Sequence, residues 1–340
     1  MRNTRHDVGR GQRNGVRHHH RRRSPQSKAI GAMCRVFVKN AVRMWAMQPN
    51  LHWPFSSIDQ IAALASPPSS ATIRRVRLPS CPAELIGTAG SSSRRAILYL
   101  HGGAFLTCGL NTHRSFAARL SRSAGAEILN VGYRMLPDHG LSAALSDAVD
   151  GLRWLLRRGY HWSDIVIAGD SAGGYLALQT AAELLRHGYP PTAGVAAISP
   201  LTTLDRHGDS PRRRDRCAMF TARAMTSFMR YIAAHGEKNP AGQRIASPVD
   251  ADLRQMPPVT IHASSDEFLR PDAELLYKRL TGAGVQCDLH LWDGQIHDFP
   301  LAAAVLPEGR RAIRYIGDFV KHVTTESQQD VPATEYPTAL

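Results

Sequence analysis

A serine within a glycine-rich pentapeptide is the first candidate for chemistry in this sequence. The peptide GDSAG at 169–173 has G-x-S-x-G spacing, with a β-branched apolar run at 164–168 before it and a helical pattern at 175–185 after it. A strand-to-helix turn of this kind lifts the serine hydroxyl clear of the sheet, where it can attack a carbonyl carbon. The helix N-terminus adds partial positive charge where an oxyanion would form. The pattern therefore indicates nucleophilic catalysis through Ser171.

The other residues of this turn have structural explanations. Gly169 and Gly173 stand where the strand and the helix approach so closely that a Cβ atom would clash. Asp170 adjoins Ser171, but its side chain would point away from the serine, which favours a structural role. In a chain with 27 glycines the bare spacing also arises by chance as a surface turn. The case for catalysis therefore depends on other parts of the chain.

A second glycine turn follows another buried apolar segment. Residues 96–100 indicate an inner strand, which ends in His101, Gly102 and Gly103. Glycines leave their N–H groups open to a ligand, and with the N–H of Ala172 those of Gly102 and Gly103 would form an oxyanion hole. A plain turn at the end of a strand would carry the same two glycines.

An acidic residue and a histidine late in the chain complete a possible triad. Asp266 follows the apolar segment 259–263, and His297 follows the segment 288–292. If both segments are parallel strands, the two residues lie at the sheet edge that carries Ser171. The order serine, acid, histidine is the one that an α/β hydrolase requires. His297 would then take the proton of Ser171, and Asp266 would fix the tautomer of the imidazole.

Two nearby acidic residues compete with Asp266 for this position. Glu267 and Asp272 follow the same predicted strand. Asp266 is favoured because it comes first after the strand. Among the 16 histidines, His297 is singled out by its place after the last predicted strand and before the last predicted helix.

Apolar runs and helical patterns alternate along most of the chain. Strands are predicted at 72–78, 84–87, 96–100, 126–131, 165–168, 194–198, 259–263 and 288–292. Helices are predicted at 29–47, 58–64, 114–123, 143–158, 175–185, 221–235, 272–283 and 310–323. This alternation predicts the α/β class, with a mostly parallel central sheet and helices on both faces.

The patterns place a single domain at 29–324, between two tails. The helices at 29–65 precede every predicted strand. They suit a membrane surface or, as we favour, packing over the domain that follows. The segment 202–256 interrupts the alternation and would cover one end of the sheet. Residues 325–340 are polar with two prolines and are predicted to be a disordered tail.

Basic charge is concentrated at the N-terminus. Residues 1–28 hold nine Lys and Arg and one Asp, so about +8 of the formal net charge of +14 lies there. Such a segment suits a nucleic-acid arm. A disordered basic extension is favoured instead, or a start codon assigned too early, with Met33 as the next methionine. No nucleic-acid partner is therefore expected.

The cysteines and the hydropathy indicate which other classes of protein the sequence does not fit. The five cysteines are scattered and lack C-x-x-C spacing, which indicates reduced thiols rather than a disulfide framework or a zinc site. The chain has no apolar run of about 18 residues and no apolar N-terminal leader, so neither a transmembrane helix nor a signal peptide is predicted. We expect a cytoplasmic protein.

The motifs together resemble a known family. HGGAF at 101–105 with GDSAGG at 169–174 is similar to the hormone-sensitive-lipase-like branch of the α/β-hydrolase esterases. The peptide YRMLPDH at 133–139 resembles the YRLAPEH of that family, with Asp in place of Glu. The resemblance covers about residues 35–323, which is nearly everything but the tails.

The late motifs resemble the family with one departure. Asp266 with Asp272 resembles its D-x-L-x-x-D acid segment, and His297 matches its late H-x-F. The family commonly has glycine where Asp298 stands, which affects the polarity of the pocket.

The resemblance implies an α/β-hydrolase fold and a serine ester hydrolase of the acetyl-hydrolase or short-chain esterase type. It implies the triad Ser171, Asp266 and His297, an acyl-enzyme, and no metal or organic cofactor. It also implies a cap from about 29–65 and 202–245 over a small acyl pocket, and a possible homodimer through the last strand and helix. An N-acyl amidase or deacetylase with the same triad, or a non-catalytic ligand-binding protein, is the alternative.

Overall fold

The computed structural model describes residues 14–64, 71–204, 216–236 and 246–329. Predictions for residues 1–13 and 330–340, and for the cap residues at 65, 205–215 and 237–245, lie outside these described residues. The strands are β1 (Gly15–His20), β2 (Ala71–Arg77), β3 (Pro82–Thr88), β4 (Ser92–Leu100), β5 (Ala126–Val131), β6 (Ile165–Asp170), β7 (Gly194–Ile198), β8 (Val259–Ser264) and β9 (Cys287–Trp292). The helices are α1 (Pro25–Val36), α2 (Val38–Met47), α3 (Phe55–Ala62), α4 (Leu110–Ala124), α5 (Leu141–Arg157), α6 (Ala172–Arg186), α7 (Ala222–His235), α8 (Arg270–Gly282) and α9 (Pro307–Gln329).

Within the described residues, the strands form one nine-stranded sheet in the order β1-β9-β8-β7-β6-β4-β5-β3-β2. From β1 to β5 in this order every neighbouring pair is parallel, and β3 and β2 add antiparallel pairs at the far end. The carboxyl ends of the inner parallel strands therefore meet along one edge. The predicted α/β class, with a mostly parallel sheet, is confirmed.

The inner strands read as continuous apolar runs because both of their faces are covered. Successive side chains of a strand point to opposite faces. Leu98 accordingly packs in the cluster with α5, α6 and α8, and the neighbouring Ile97 packs in the cluster with α4 and α9. All six residues of β6 are buried. This rigid strand carries the glycine-rich pentapeptide at its end.

The N-terminal segment differs from its prediction. The described part of residues 1–28 is ordered: β1 pairs in parallel with β9, and α1 begins at Pro25. Its histidines stack on the sheet, with His18 over His290 at 4.3 Å and His290 over His262 at 4.4 Å between ring centroids. Burial lowers the pKa of His290 to about 3, so its ring is neutral at neutral pH. Ring stacking and pairing with the outer edge of β9 thus order a segment without apolar alternation.

The C-terminal boundary also differs, because α9 continues to Gln329, beyond the predicted end at 324. The N-terminal helices pack over the domain, which was the favoured alternative. In α2, the backbone oxygen of Ala46 accepts a hydrogen bond from Ser227 Oγ of α7 at 3.0 Å. The Trp45 ring lies edge-on to Tyr231 of α7 at 6.2 Å. Helices α2 and α7 therefore form one layer.

Candidate active site

Ser171 occupies a strained turn between β6 and α6. Its φ of 51° and ψ of −115° lie outside the regions that non-glycine residues prefer. An ideal Cβ on Gly169 would lie 2.3 Å from the carbonyl oxygen of Gly173, and one on Gly173 would lie 2.0 Å from that of Leu100. Only glycine fits at these two positions, so the sequence around the serine is dictated by the close approach of the helix to the sheet.

The histidine predicted from its position lies against the serine. His297 Nε2 is 2.9 Å from Ser171 Oγ. The imidazole is buried, with 4% of the residue exposed, and the Phe220 ring lies edge-on to it at 5.0 Å. A hydroxyl at this distance can transfer its proton to the ring nitrogen.

The acidic partner of this histidine is Glu267, which corrects the preference for Asp266. Glu267 Oε2 lies 2.5 Å from His297 Nδ1, and Glu267 Oε1 accepts a hydrogen bond from the backbone N–H of Ser264 at 2.7 Å. The longer side chain curls back to the end of β8 and is buried there. The Asp266 backbone N–H instead bonds Ser264 Oγ at 3.1 Å, in a turn that carries its carboxylate away from the histidine.

Asp266 lines a separate cavity of about 590 Å³ beside the loops that follow β8 and β9. Four arginines share this cavity, namely Arg21, Arg23, Arg216 and Arg270. The third candidate, Asp272, accepts hydrogen bonds from the backbone N–H groups of Thr202 at 2.9 Å and Thr203 at 3.2 Å. It therefore fixes the segment after β7 and has no contact with the imidazole.

The sequence contained a signal for Glu267. In the spacing D-x-L-x-x-D, the leucine comes two residues after the first acid and the second acid five residues after it. Glu267, Leu269 and Asp272 have that spacing, whereas Asp266 stands one residue too early.

A second carboxylate faces the same imidazole. Asp298 Oδ2 lies 3.0 Å from His297 Nε2, the nitrogen that also faces Ser171. Burial by itself lowers the pKa of His297, but the carboxylates of Asp298 and Glu267 outweigh it and hold that pKa well above 6.5. Burial in turn raises the pKa of Asp298, against the effect of the imidazolium. The two groups therefore titrate as a pair.

The N–H groups near the serine differ from the predicted oxyanion hole at one position. The Gly102 N–H donates to Asp170 Oδ1 at 3.0 Å, so it is not available to a ligand. The turn that follows has positive φ at Gly103, 111°, and at Ala104, 58°. Within the described residues, the N–H groups of Gly103, Ala104 and Ala172 have no protein acceptor. The N–H groups open to an oxyanion are therefore those of Gly103, Ala104 and Ala172, and Ala104 takes the place predicted for Gly102.

Asp170 ties the two glycine turns together, in agreement with the structural role favoured for it. Its buried carboxylate accepts hydrogen bonds from Tyr99 Oη at 2.5 Å and from the Gly102 N–H, and it pairs with His113 Nε2 at 3.2 Å. Burial raises the pKa of Asp170, but His113 and these hydrogen bonds outweigh it and keep that pKa low. The ionised Asp170 therefore holds the turn after β4.

His101 supports this turn from behind. Its ring stacks on Tyr133 at 4.3 Å, and Tyr133 Oη donates to the His101 carbonyl at 2.6 Å. Burial lowers the pKa of His101 to about 4, so the ring is neutral. His101 is thus placed to hold the backbone rather than to face a ligand.

Two properties of the described residues bear on ligands. Within them, no group of three or more histidines, cysteines or acids is arranged to hold a metal ion. No helix among them is both long and apolar enough to cross a bilayer. The arrangement at Ser171 has the parts that acyl transfer requires: a hydroxyl, a base, an orienting acid and N–H groups in the adjoining turns that have no protein acceptor among the described residues.

Residues 97–301 match a family model described as the alpha/beta hydrolase fold. The chain therefore belongs to the α/β-hydrolase fold family, as the sequence motifs predict.

Known esterases resemble most of the chain. Esterase LipU of Mycobacterium tuberculosis is 39% identical over 295 residues, which cover 84% of this chain and 99% of LipU. An acetyl-hydrolase of Streptomyces hygroscopicus is 35% identical over 248 residues, covering 72% of this chain and 81% of that protein. The crystal structure of an esterase from the bacterial hormone-sensitive lipase family superposes with a TM-score of 0.76 at 28% identity, covering 89% and 99% of the two chains. The protein is a carboxylic ester hydrolase of the hormone-sensitive-lipase-like branch.

Proposed function

We propose that this enzyme hydrolyses small carboxylic esters through Ser171, His297 and Glu267, by way of an acyl-enzyme. The observation that carries the proposal is the continuous path from Ser171 Oγ to His297 Nε2 at 2.9 Å and from His297 Nδ1 to Glu267 Oε2 at 2.5 Å. A serine hydroxyl needs such a base to become nucleophilic at neutral pH.

The steps follow from these contacts. Ser171 Oγ attacks the ester carbonyl while His297 takes its proton, and the buried Glu267 carboxylate stabilises the imidazolium. The N–H groups of Gly103, Ala104 and Ala172 donate to the oxyanion of the tetrahedral intermediate. The intermediate expels the alcohol, which receives the proton from His297. Water activated by the same histidine then releases the acid and restores the serine.

A short acyl group, such as acetyl, is the substrate that we infer. The support for it is the likeness to an acetyl-hydrolase and the packing of α2 against α7, with Phe220 just before α7 lying against His297. Amide substrates are the alternative for the same triad. The cytoplasmic location and the homodimer stay predictions.

The test is hydrolysis of p-nitrophenyl esters from acetyl to dodecanoyl, with matched anilides, by the intact protein and two variants. Removal of a triad serine costs about 10⁶ in kcat in subtilisin, so Ser171→Ala should leave almost no activity. Ser265→Ala removes a nearby hydroxyl outside the triad and should retain activity. Equal ester hydrolysis by Ser171→Ala and the intact protein would overturn the proposal, and faster hydrolysis of the anilides would favour the amidase.

A further inference from the structure

The cap helices carry a concentration of exposed apolar side chains. Among the described residues, nine of the twelve large apolar side chains that are exposed lie within residues 33–64. We define the cap apolar face by six of them: Met33, Phe37, Met44, Met47, Ile61 and Leu64. Phe37, Ile61 and Leu64 are 68%, 67% and 85% exposed. Four of the six lie on α1, on α2 or between them, and two lie at the end of α3. Monomeric proteins seldom expose so many large apolar side chains within one short segment unless they bind something.

This face is distinct from the side by which the same helices join the domain. Met33, Phe37, Met44 and Met47 recur at helical spacing and are all exposed. The opposite side of α1 and α2 is buried, through Cys34, Trp45 and Ala46. The helices are therefore apolar on two sides, and packing on the domain uses only one of them.

The charge of the surrounding segment identifies the partner. Residues 14–58 contain eight Lys and Arg and not a single Asp or Glu. Lys28, Arg35 and Arg43 are exposed on the same helices. Apolar side chains flanked by cations are the signature of helices that lie in the interface of an anionic lipid bilayer. A protein partner would need an apolar groove with acidic groups placed around it to match this surface. An anionic bilayer offers an apolar interior and negative headgroups along its whole surface.

We propose that the cap docks on anionic lipid bilayers through the cap apolar face, with its basic residues at the headgroups. This binding is independent of the proposed esterase mechanism, because none of these side chains touches Ser171 or His297 among the contacts of the described residues.

Docking at this face would act close to the oxyanion turn. The Phe55 carbonyl of α3 accepts a hydrogen bond from Thr107 Oγ1 at 3.0 Å, and the Thr107 N–H donates to the Gly103 carbonyl at 3.0 Å. Asp59 of α3 also accepts the N–H of Thr112, at the start of α4, at 2.8 Å. Thr107 therefore links α3 directly to the turn at Gly103, which is the turn proposed to bind the ester oxygen. A bilayer bound at α3 would lie next to this link.

The test is cosedimentation of the full chain with vesicles of diether phosphatidylglycerol or diether phosphatidylcholine. Ether lipids contain no carboxylic ester, so binding is measured without hydrolysis. We expect binding to the phosphatidylglycerol vesicles that weakens with salt, and weaker binding to phosphatidylcholine. The double variant Phe37→Ser/Ile61→Ser should lose at least about tenfold in partitioning, because each side chain loses its apolar transfer into the interface.

Val305→Ser is the matched control, since Val305 is 56% exposed and lies outside the face; it should bind as the intact chain does. Unchanged hydrolysis of p-nitrophenyl acetate by Phe37→Ser/Ile61→Ser would show that the double variant is folded. Equal partitioning of the double variant and the intact chain would overturn the proposal, as would absence of binding to phosphatidylglycerol. Self-association that the double variant abolishes, without vesicle binding, would make the face a contact between copies. Loss or retention of activity in Ser171→Ala bears on the esterase proposal alone.

Discussion

The Asp298 carboxylate lies 3.0 Å from His297 Nε2, the ring nitrogen that is 2.9 Å from Ser171 Oγ. The imidazole thus has a carboxylate at each nitrogen, with Glu267 at Nδ1. Both carboxylates stabilise the imidazolium, whereas the attack of the serine requires the neutral ring. Asp298 therefore helps to set the pH above which the His297 imidazole is neutral and can accept the proton of Ser171.

Asp298→Asn should move the acid limb of the pH profile of kcat/KM to lower pH. Burial lowers the pKa of His297 and the two carboxylates raise it, with Asp298 the larger of the two. Activity of the intact enzyme therefore rises as the pH increases through this raised pKa. Removing one charge at 3.0 Å should lower the limb by about one pH unit or more. Asp266→Asn, which removes a carboxylate without contact to the ring, should leave the limb in place. An unmoved limb in Asp298→Asn would contradict the coupling.

Glu267→Gln should cost far more activity than Asp266→Asn. The amide keeps the size of Glu267 but loses the charge that stabilises the imidazolium and sets its tautomer, a change worth about 10⁴ in kcat in serine proteases. Asp266 faces the arginine-lined cavity, and its replacement should change kcat by less than about threefold. Steady-state kinetics on p-nitrophenyl acetate compare the two, and the reverse order of effects would restore Asp266 as the acid.

Asp170→Asn should destabilise the protein by about 3–5 kcal/mol, because it leaves the buried imidazolium of His113 without its carboxylate. Burial by itself lowers the pKa of His113, but Asp170 outweighs it and raises that pKa. The substitution therefore breaks an ion pair between a carboxylate and an imidazolium. Urea unfolding at neutral pH measures the loss. The double variant Asp170→Asn/His113→Gln should recover part of it, and equal stabilities of the intact protein and Asp170→Asn would contradict the buried pair.

Acid should release β1 from the sheet. Burial lowers the pKa of His20 to about 4 and that of His290 to about 3, so both bind protons more weakly when folded than when β1 is undocked. The docked state therefore loses stability as the pH falls below about 6.5, and the loss levels off below the folded pKa values. Protection factors from hydrogen exchange over 15–20 should drop between pH 7 and pH 5.

His20→Phe is the variant that tests this dependence. Phenylalanine retains a ring over Trp292 but has no proton to gain, so the pH dependence should weaken. The exposed His19 is the control position, and His19→Phe should behave as the intact chain does. Equal protection at pH 7 and pH 5 in the intact protein would contradict the assignment.

Local sequence patterns are sufficient to predict most strands and helices and two of the three triad residues. Strands such as β6 and helices such as α6 follow from apolar periodicity, and Ser171 and His297 follow from their place after strands. The acid depends on how a turn folds: whether the second or third residue after Ser264 points inward is decided by side-chain length and one backbone hydrogen bond. The order of residues after the strand does not contain that information, and only the family spacing of Glu267, Leu269 and Asp272 points to the correct acid.

Contacts between distant parts of the chain were equally hidden from the sequence. The sequence predicts Gly102 in the oxyanion hole, because nothing local shows that Asp170, 68 residues later, takes its N–H. The sequence does not predict β1, because its partner β9 lies more than 250 residues away and half of its own residues are histidines rather than alternating apolar groups. Both misses come from pairings that only the folded sheet brings together.

The position of β1 also has a consequence for assembly. The backbone groups on the outer side of β9 are paired with Gly15–His20 of the same chain. An unpaired edge strand is a template onto which another molecule can add a strand. The N-terminal segment thus acts as an intramolecular competitor for that template, and two copies can join their sheets at β9 only after each has withdrawn its own first strand.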